Sequence, residues 1–310
     1  MEILRKNFEK YAYNHSVEIG SYQWSAEKFS SRFAIPIAVS AVSFAAIFIR
    51  FSDAHPVAIS FYRFFFSTMI LSIFVPFRID EFKKITRREW ITLLSTGFFL
   101  SFHMVAWVSS LNYTTVASSV VLVTAHPLLV SWISSRYLGE ETSKRAYGGI
   151  IFALAGIFIM AFSDYSVSKW SLFGDLLAIL AMFSVTGYII RGRQLRQKFS
   201  VVTYAFCVYG FSTLFLAAFS LGFSTSFQIY PVREYLIFFS LALIPTMLGH
   251  TLYNWALKFV QARVVSVSLL GEPIGATILA FLILNEIPPT LTIFGASITL
   301  IGIFICEKYG

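Results

Sequence analysis

The stretch VVSVSLLGEPIGATILAFLIL runs from Val264 to Leu284 and carries a single charged residue, Glu272. Its length is that of a helix crossing the hydrocarbon of a bilayer, about 20 residues. Its middle is unusual: Glu272 and Pro273 fall near the centre, where an ionisable side chain costs about 2.5–3.5 kcal/mol to insert and a proline removes a helical hydrogen bond. Another apolar run, Thr115–Tyr137, holds His126-Pro127 at the corresponding place, 146 residues earlier. At the same offset Glu140 aligns with Glu286, Gly149 with Gly295, and Gly156-Ile157-Phe158-Ile159 with Gly302-Ile303-Phe304-Ile305. Near the start of each half, Ile47-Phe48-Ile49-Arg50 resembles Tyr188-Ile189-Ile190-Arg191 at an offset of 141. The chain reads as two copies of one unit, with loop insertions between them.

Composition sets the class. Of 310 residues 57% are hydrophobic and 13% charged, with a mean hydropathy of +0.72. Soluble domains carry about 45–50% apolar and about 25% charged residues, so a water-soluble enzyme, a disordered chain and a disulfide scaffold are excluded. The apolar runs are too continuous for a barrel, whose strands alternate apolar and polar residues. The expected fold is an all-α membrane protein with ten transmembrane helices: Ala34–Phe51, Pro56–Phe77, Trp90–Leu111, Thr115–Tyr137, Tyr147–Phe162, Leu172–Ile190, Val201–Leu221, Tyr235–Phe259, Val264–Leu284 and Thr290–Cys306. Residues 1–31 form a cytoplasmic tail that either lies on the membrane through Leu4, Phe8 and Tyr11 or is merely polar. Residues 32–163 form a first five-helix repeat and 164–310 a second.

The net charge of +8 resides in the loops, so it reports orientation and not a nucleic-acid partner. With the N-terminus inside, twenty of the 24 Lys and Arg fall on the cytoplasmic side and two, Lys169 and Arg233, on the other; Arg50 and Arg63 lie at or within helices. That asymmetry predicts a multi-pass protein of the cytoplasmic (inner) membrane with both termini cytoplasmic. An odd number of helices per repeat makes the second half enter from the opposite face. Inverted repeats of this kind belong to alternating-access carriers, with the substrate near the midplane.

The sequence resembles the drug/metabolite transporter superfamily, in its ten-helix EamA-type branch, over Ala34–Cys306. The resemblance rests on Ser60-Phe61-Tyr62-Arg63-Phe64 in the second helix, on Val120 to Glu140 with its mid-helix proline and Leu138-Gly139-Glu140, and on Leu269-Leu270-Gly271-Glu272-Pro273 running to Leu284-Asn285-Glu286. It implies a basket of two inverted repeats that moves small organic metabolites. His126 departs from the neutral residue the resemblance leads one to expect.

Polar residues inside apolar runs usually face a cavity. Glu272 has two roles open to it: carrying a coupling proton or binding a substrate ammonium, or bracing the proline break through freed backbone groups. His126, its repeat equivalent, is open to substrate bonding and protonation or to a satisfied contact between helices. Pro127 and Pro273 are candidate gating kinks. His103, Trp107, His250, Tyr253, Asn254 and Trp255 are candidate substrate contacts, because aromatic faces with a few polar groups suit a small amphipathic ligand; packing is the alternative for each. Arg63 is open to attracting a carboxylate or phosphate or to pairing with Asp53 or Asp175, and the ion pair is the role expected. Gly149, Gly156, Gly295 and Gly302 are expected to permit close helix packing. The histidines lack i, i+3 or i, i+4 spacing and the two cysteines, Cys207 and Cys306, lie far apart, so no metal is expected. No cofactor is implied, and the chain has no Walker motif for ATP.

The function expected is secondary transport of small organic metabolites, amino acids or their derivatives fitting the mixed lining, driven by protons or exchange. A non-coupled channel or a lipid-translocating accessory protein is the alternative, and an enzyme role is not expected. The partners implied are a small-molecule substrate and membrane lipid, with the chain a monomer or homodimer.

Overall fold

The computed structural model describes residues 34–137, 143–164, 170–222, 229–287 and 290–309. The tail 1–31, Glu140 and Lys169, on which the sequence reading also drew, lie outside them. Every regular element among the described residues is helical. In chain order they are α1 Ala34–Arg50, α2 Pro56–Ser72, α3 Val75–Lys83, α4 Arg87–Ser110, α5 Val116–Val123, α6 Pro127–Tyr137 and α7 Lys144–Asp164. There follow α8 Ser171–Arg196, α9 Val201–Gly222, α10 Val232–Ala256, α11 Ala262–Ser268, α12 Gly271–Leu284 and α13 Thr290–Tyr309.

Five of these stretches are individually long and apolar enough to cross a membrane: α4, α8, α9, α10 and the run Ala262–Leu284 that holds α11 and α12. A sixth results if the bent pair α2–α3 is taken as one span. This is fewer than the ten crossings expected. Ala34–Arg50 and Ile293–Cys306 are apolar but shorter, and the run 115–137 is divided between α5 and α6. The second helix also stops earlier than expected: it ends at Ser72, and the chain turns by 68° into α3. Pro76 lacks the N–H that would bond the Ser72 carbonyl, so the helix cannot continue unbroken, and Phe77 lies in the elbow with 80% of its surface exposed.

Local chemistry fixes the other helix starts. Pro56 occupies the first turn of α2, where a missing N–H costs nothing, and the His55 ring accepts from the Val57 N–H at 3.3 Å. α4 opens with a capping box: the Thr86 hydroxyl accepts from the Glu89 N–H at 3.3 Å, and the Glu89 carboxylate accepts from the Thr86 N–H at 2.9 Å.

The helices pack most extensively as α7 on α13, α4 on α8, and α2 on α9. Glycine makes the first pairing close. A Cβ at Gly156 would stand 2.4 Å from the Gly295 carbonyl oxygen, one at Gly302 2.3 Å from the Ala153 nitrogen, and one at Gly149 2.9 Å from the Gly302 oxygen. Backbone meets backbone there, as the glycine spacing leads one to expect. The two divided helices cross at the centre, α5 against α12 and α6 against α11.

Candidate functional site

Three prolines shape the centre, and each frees one carbonyl four residues back. Pro127 frees the Val123 carbonyl, which accepts instead from His126 Nδ1 at 3.1 Å. Pro273 frees the Leu269 carbonyl, which accepts from the backbone N–H of Glu272 at 2.9 Å. Pro245, inside α10, frees the Leu241 carbonyl, which accepts from the Thr246 hydroxyl at 2.8 Å. Around Pro245 the helix widens into a π-type stretch, Ala242–His250, a distortion frequent at functional sites. Pro127 and Pro273 themselves sit in the first turns of α6 and α12, so each marks where a half-helix begins.

Where α5–α6 and α11–α12 cross, a buried cavity is lined by His103, Trp107, His126, His250 and Glu272, with Met104 and Thr124 beside them. About 30 Å³ of it is open to a water-sized molecule. That is the room of about one water, well below the pocket a metabolite needs, about 300 Å³ or more. The centre is thus closed in this conformation.

The histidines have defined tautomers. His103 Nδ1 lies 3.1 Å from the Ala181 carbonyl and His126 Nδ1 3.1 Å from that of Val123. A carbonyl only accepts, so both Nδ1 atoms carry hydrogen, and in the neutral ring Nε2 is an acceptor. The His103 ring stacks on Trp107, centroids 6.2 Å apart. His126 Nε2 and Trp107 Nε1 are buried and have no hydrogen-bond partner among the described residues. The cavity therefore presents an imidazole acceptor, an indole donor and a carboxyl group. Buried polar groups left in this state cost about 1–3 kcal/mol each, which a ligand or water that bonds them would recover.

The other candidates lie apart from this group. Tyr253 is buried within electrostatic reach of Glu272, and its hydroxyl has no partner among the described residues. Asn254 belongs to a second polar cluster: it bonds the Tyr188 hydroxyl at 2.6 Å and the Tyr209 hydroxyl at 3.3 Å, and its carbonyl accepts from Arg196 at 2.7 Å. Trp255 is half-buried and packs edge-on against Phe259 at 5.6 Å.

Arg63 corrects the sequence reading. It pairs with neither Asp53 nor Asp175: Asp53 takes Arg233 at 3.2 Å, and Asp175 accepts from Thr114 at 3.1 Å. Arg63 is instead 1% exposed. It donates to Thr246 Oγ1 at 2.7 Å and reaches the Met104 sulfur at 3.6 Å, and it lies within electrostatic reach of Glu272. Counting residues past Pro56 places Arg63 along α2 but not around it, and the π-type stretch of α10 is what brings Thr246 to it. No three of His, Cys, Asp and Glu among the described residues converge closely enough to hold a metal.

Long apolar helices around a buried polar cavity define a multi-pass membrane protein. The chain belongs to the EamA-like transporter family, which it matches twice, over residues 32–162 and 172–306. It is 25% identical over 283 residues to a protein of Archaeoglobus fulgidus named an uncharacterized transporter, spanning 88% of this chain and 94% of that one. It is 22% identical over 193 residues to the probable terminal-alkyne amino-acid exporter of Streptantibioticus cattleyicolor, spanning 61% and 63%. One solved crystal structure superposes with a TM-score of 0.72 at 16% identity, over 91% of this chain and 98% of that one; that likeness is one of fold.

Proposed function

We propose that the protein is a secondary carrier of small organic metabolites, working by alternating access across the cytoplasmic membrane. The observation that carries this reading is the central cavity. It lies where two interrupted helices cross, and its acid and imidazole, Glu272 and His126, occupy equivalent places in the two halves. Discontinuous helices meeting at a midplane site are the construction of secondary transporters.

Ten crossings in two inverted repeats complete the proposal, and two packing relations support it. Adding 146 to Gly149 gives Gly295, and adding it to Gly156 gives Gly302. The approach of Gly149 to Gly302 then maps onto that of Gly295 to Gly156, which is also present. Likewise α5 on α12 maps onto α11 on α6, and both pairs are in contact. Contacts exchanged in this way are what a twofold axis between the halves produces. The distribution of Lys and Arg supports both termini lying in the cytoplasm.

In this reading Glu272 and His126 carry the coupling proton or meet the polar end of the substrate. His103, Trp107 and His250 complete the contact surface, with Tyr253, Asn254 and Trp255 toward its edge. Pro127 and Pro273 are the points at which the half-helices hinge as the closed cavity opens to one side. An acid, imidazoles and an indole together suit a zwitterion, so amino acids and their derivatives are the substrate class to try first. The name of the Streptantibioticus relative accords with that choice.

The test is counterflow in proteoliposomes loaded with unlabelled amino acids, nucleosides, sugar phosphates and S-adenosyl compounds, with one labelled compound outside at a time. Transient accumulation of a label is expected and names the class. Equilibration of a label without overshoot would replace the carrier by a channel. Cysteines placed at Lys144 and Val232 are expected to react with impermeant reagents from opposite sides; labelling from one side would overturn the topology.

A further inference from the structure

Away from the central cavity, α2, α4 and α9 leave an open groove of about 570 Å³ on the outer surface. Phe65, Met69, Phe206, Phe211 and Leu214 wall it, and Phe82 and Trp90 stand at one end. Its three hydroxyls are already spent: Thr68, Ser72 and Thr213 each donate to a carbonyl of their own helix at 2.7–2.8 Å. Gly210 keeps the floor open, with the nearest atom 3.7 Å from where a Cβ would stand. A groove walled almost wholly by apolar side chains, its hydroxyl protons already given to its own helices, suits hydrocarbon.

Charge at the Phe82–Trp90 end is arranged differently. Between those two residues lie Lys83, Lys84, Arg87 and Arg88, all exposed. The acids of the same segment are committed elsewhere. Asp80 takes Lys83 at 2.9 Å. Glu81 accepts from the Ser200 N–H at 2.9 Å and lies 3.7 Å from Arg78. Glu89 takes Lys198 at 2.7 Å. Among the described residues Lys84, Arg87 and Arg88 have no carboxylate within 4.0 Å. The charge lies on the turn from α3 into α4, and at the other end of α3 the elbow exposes apolar side chains, Ile73 and Phe77, 66% and 80% exposed. Exposed apolar residues and cations on one short segment are the pattern of a segment lying at headgroup level.

We propose that this groove and the turn from α3 into α4 bind one anionic phospholipid, with an acyl chain along the α2–α9 groove and its phosphate on Lys84, Arg87 and Arg88. Charge complementarity chooses the occupant: a zwitterionic lipid fills the groove equally well, but its own ammonium offsets its phosphate, so three cations favour a lipid of net negative charge. Each Lys or Arg near an anionic headgroup adds attraction that fades with salt. The site goes beyond the carrier reading and does not depend on it.

Native mass spectrometry of the full chain in detergent, titrated with phosphatidylglycerol or phosphatidylcholine, tests it. One phosphatidylglycerol is expected to be retained about tenfold more tightly than phosphatidylcholine. The variant combining Lys84→Gln, Arg87→Gln and Arg88→Gln is expected to lose the preference, and Gly210→Leu, which fills the groove, to weaken both lipids alike. Equal retention of the two lipids, or a preference that survives the triple variant, overturns the proposal. So does displacement of phosphatidylglycerol by inorganic phosphate, which would reduce the site to a surface anion patch. Retention of neither lipid also overturns it, leaving the groove to the N-terminal tail or a second copy of the chain. Because no transport is read, failure of the carrier assay leaves these outcomes unaffected.

Discussion

The break between α5 and α6 and the break between α11 and α12 occupy equivalent places in the two halves, yet they are mended differently. At the first, the carbonyl freed by Pro127 is satisfied by a side chain, His126 Nδ1. At the second, the carbonyl freed by Pro273 is satisfied by a backbone N–H, that of Glu272. The imidazole is thus half committed to holding the helix, and only Nε2 faces the cavity unpartnered among the described residues. Among the described residues the carboxyl of Glu272 makes no hydrogen bond to the break. Two residues that sequence alone treats alike are separated by which atom does the mending: a change at His126 should be felt first as lost stability, a change at Glu272 first as lost transport.

The largest effect expected is that of Glu272→Gln. In the carrier reading, transport per folded molecule falls by about tenfold or more, the equivalent of at least about 1.4 kcal/mol, while the melting temperature in detergent stays near that of the wild type. A fall in stability that matches the loss of transport would erase the contrast between the breaks. Next comes His126→Ala, which strands the Val123 carbonyl and should cost about 1–3 kcal/mol of stability, read from thermal or denaturant unfolding. His126→Asn, whose amide can donate, is expected to recover part of that loss. A sharper form of the same idea is a double-mutant cycle with Pro127→Ala, which restores a backbone N–H for Val123. The cost of His126→Ala should shrink in that background, with a coupling of about 1 kcal/mol; additive costs would mean that the imidazole does not serve the break.

The smallest effect belongs to a site far from both breaks. Hydrogen bonds from Lys198 and from Thr86 hold the Glu89 carboxyl down at about 2, below its ordinary value of 4.5. A carboxyl lowered by folding contributes stability above its unfolded value, and that contribution disappears as pH falls through the folded value. Glu89→Gln keeps a side-chain oxygen to accept from the Thr86 N–H but removes the charge, so it should lower the melting temperature at pH 7 only slightly, by less than about 1 kcal/mol for a water-screened ion pair at a helix N-terminus. The gap to the wild type should narrow as pH is taken from 5 toward 2. A gap independent of pH would leave the cap, and not the charge, as the whole contribution.

Much of this was legible in the sequence for a simple reason. Apolar runs of helical length have few other fates, so the helices fall where the runs do, and glycines seven apart at Gly149–Gly156 and Gly295–Gly302 marked a seam that backbone contact fills. Position within each apolar run was legible too: His103, His126, His250 and Glu272 all lie well inside such runs, and they line one cavity. Direction around a helix axis was not. Arg63 sits in a motif the sequence displayed openly, but its partner Thr246 lies 183 residues away on a distorted helix, and nothing local announces that meeting. Asn254 was grouped with His250 because they are near in sequence, whereas its bonds run to Tyr188 and Tyr209. The early stop at Ser72 was readable from Pro76, had the proline been weighed above the hydropathy of Phe74 and Phe77.

The π-type stretch at Ala242–His250 has a consequence for ancestry. A helix advances by about 100° per residue, so a segment wound i to i+5 holds a residue that an ordinary helix has no place for. Deleting one residue there would let an ordinary turn close the gap, with the residues from Thr251 onward keeping their faces, whereas the same deletion elsewhere in α10 would turn everything beyond it by about 100°. Lineages that differ by such a deletion would share a fold and present the same faces of α10 to the interior, differing in the wide turn beside the Arg63–Thr246 contact. A one-residue gap in this stretch is therefore the mark by which relatives that keep the wide turn are told from those that lack it.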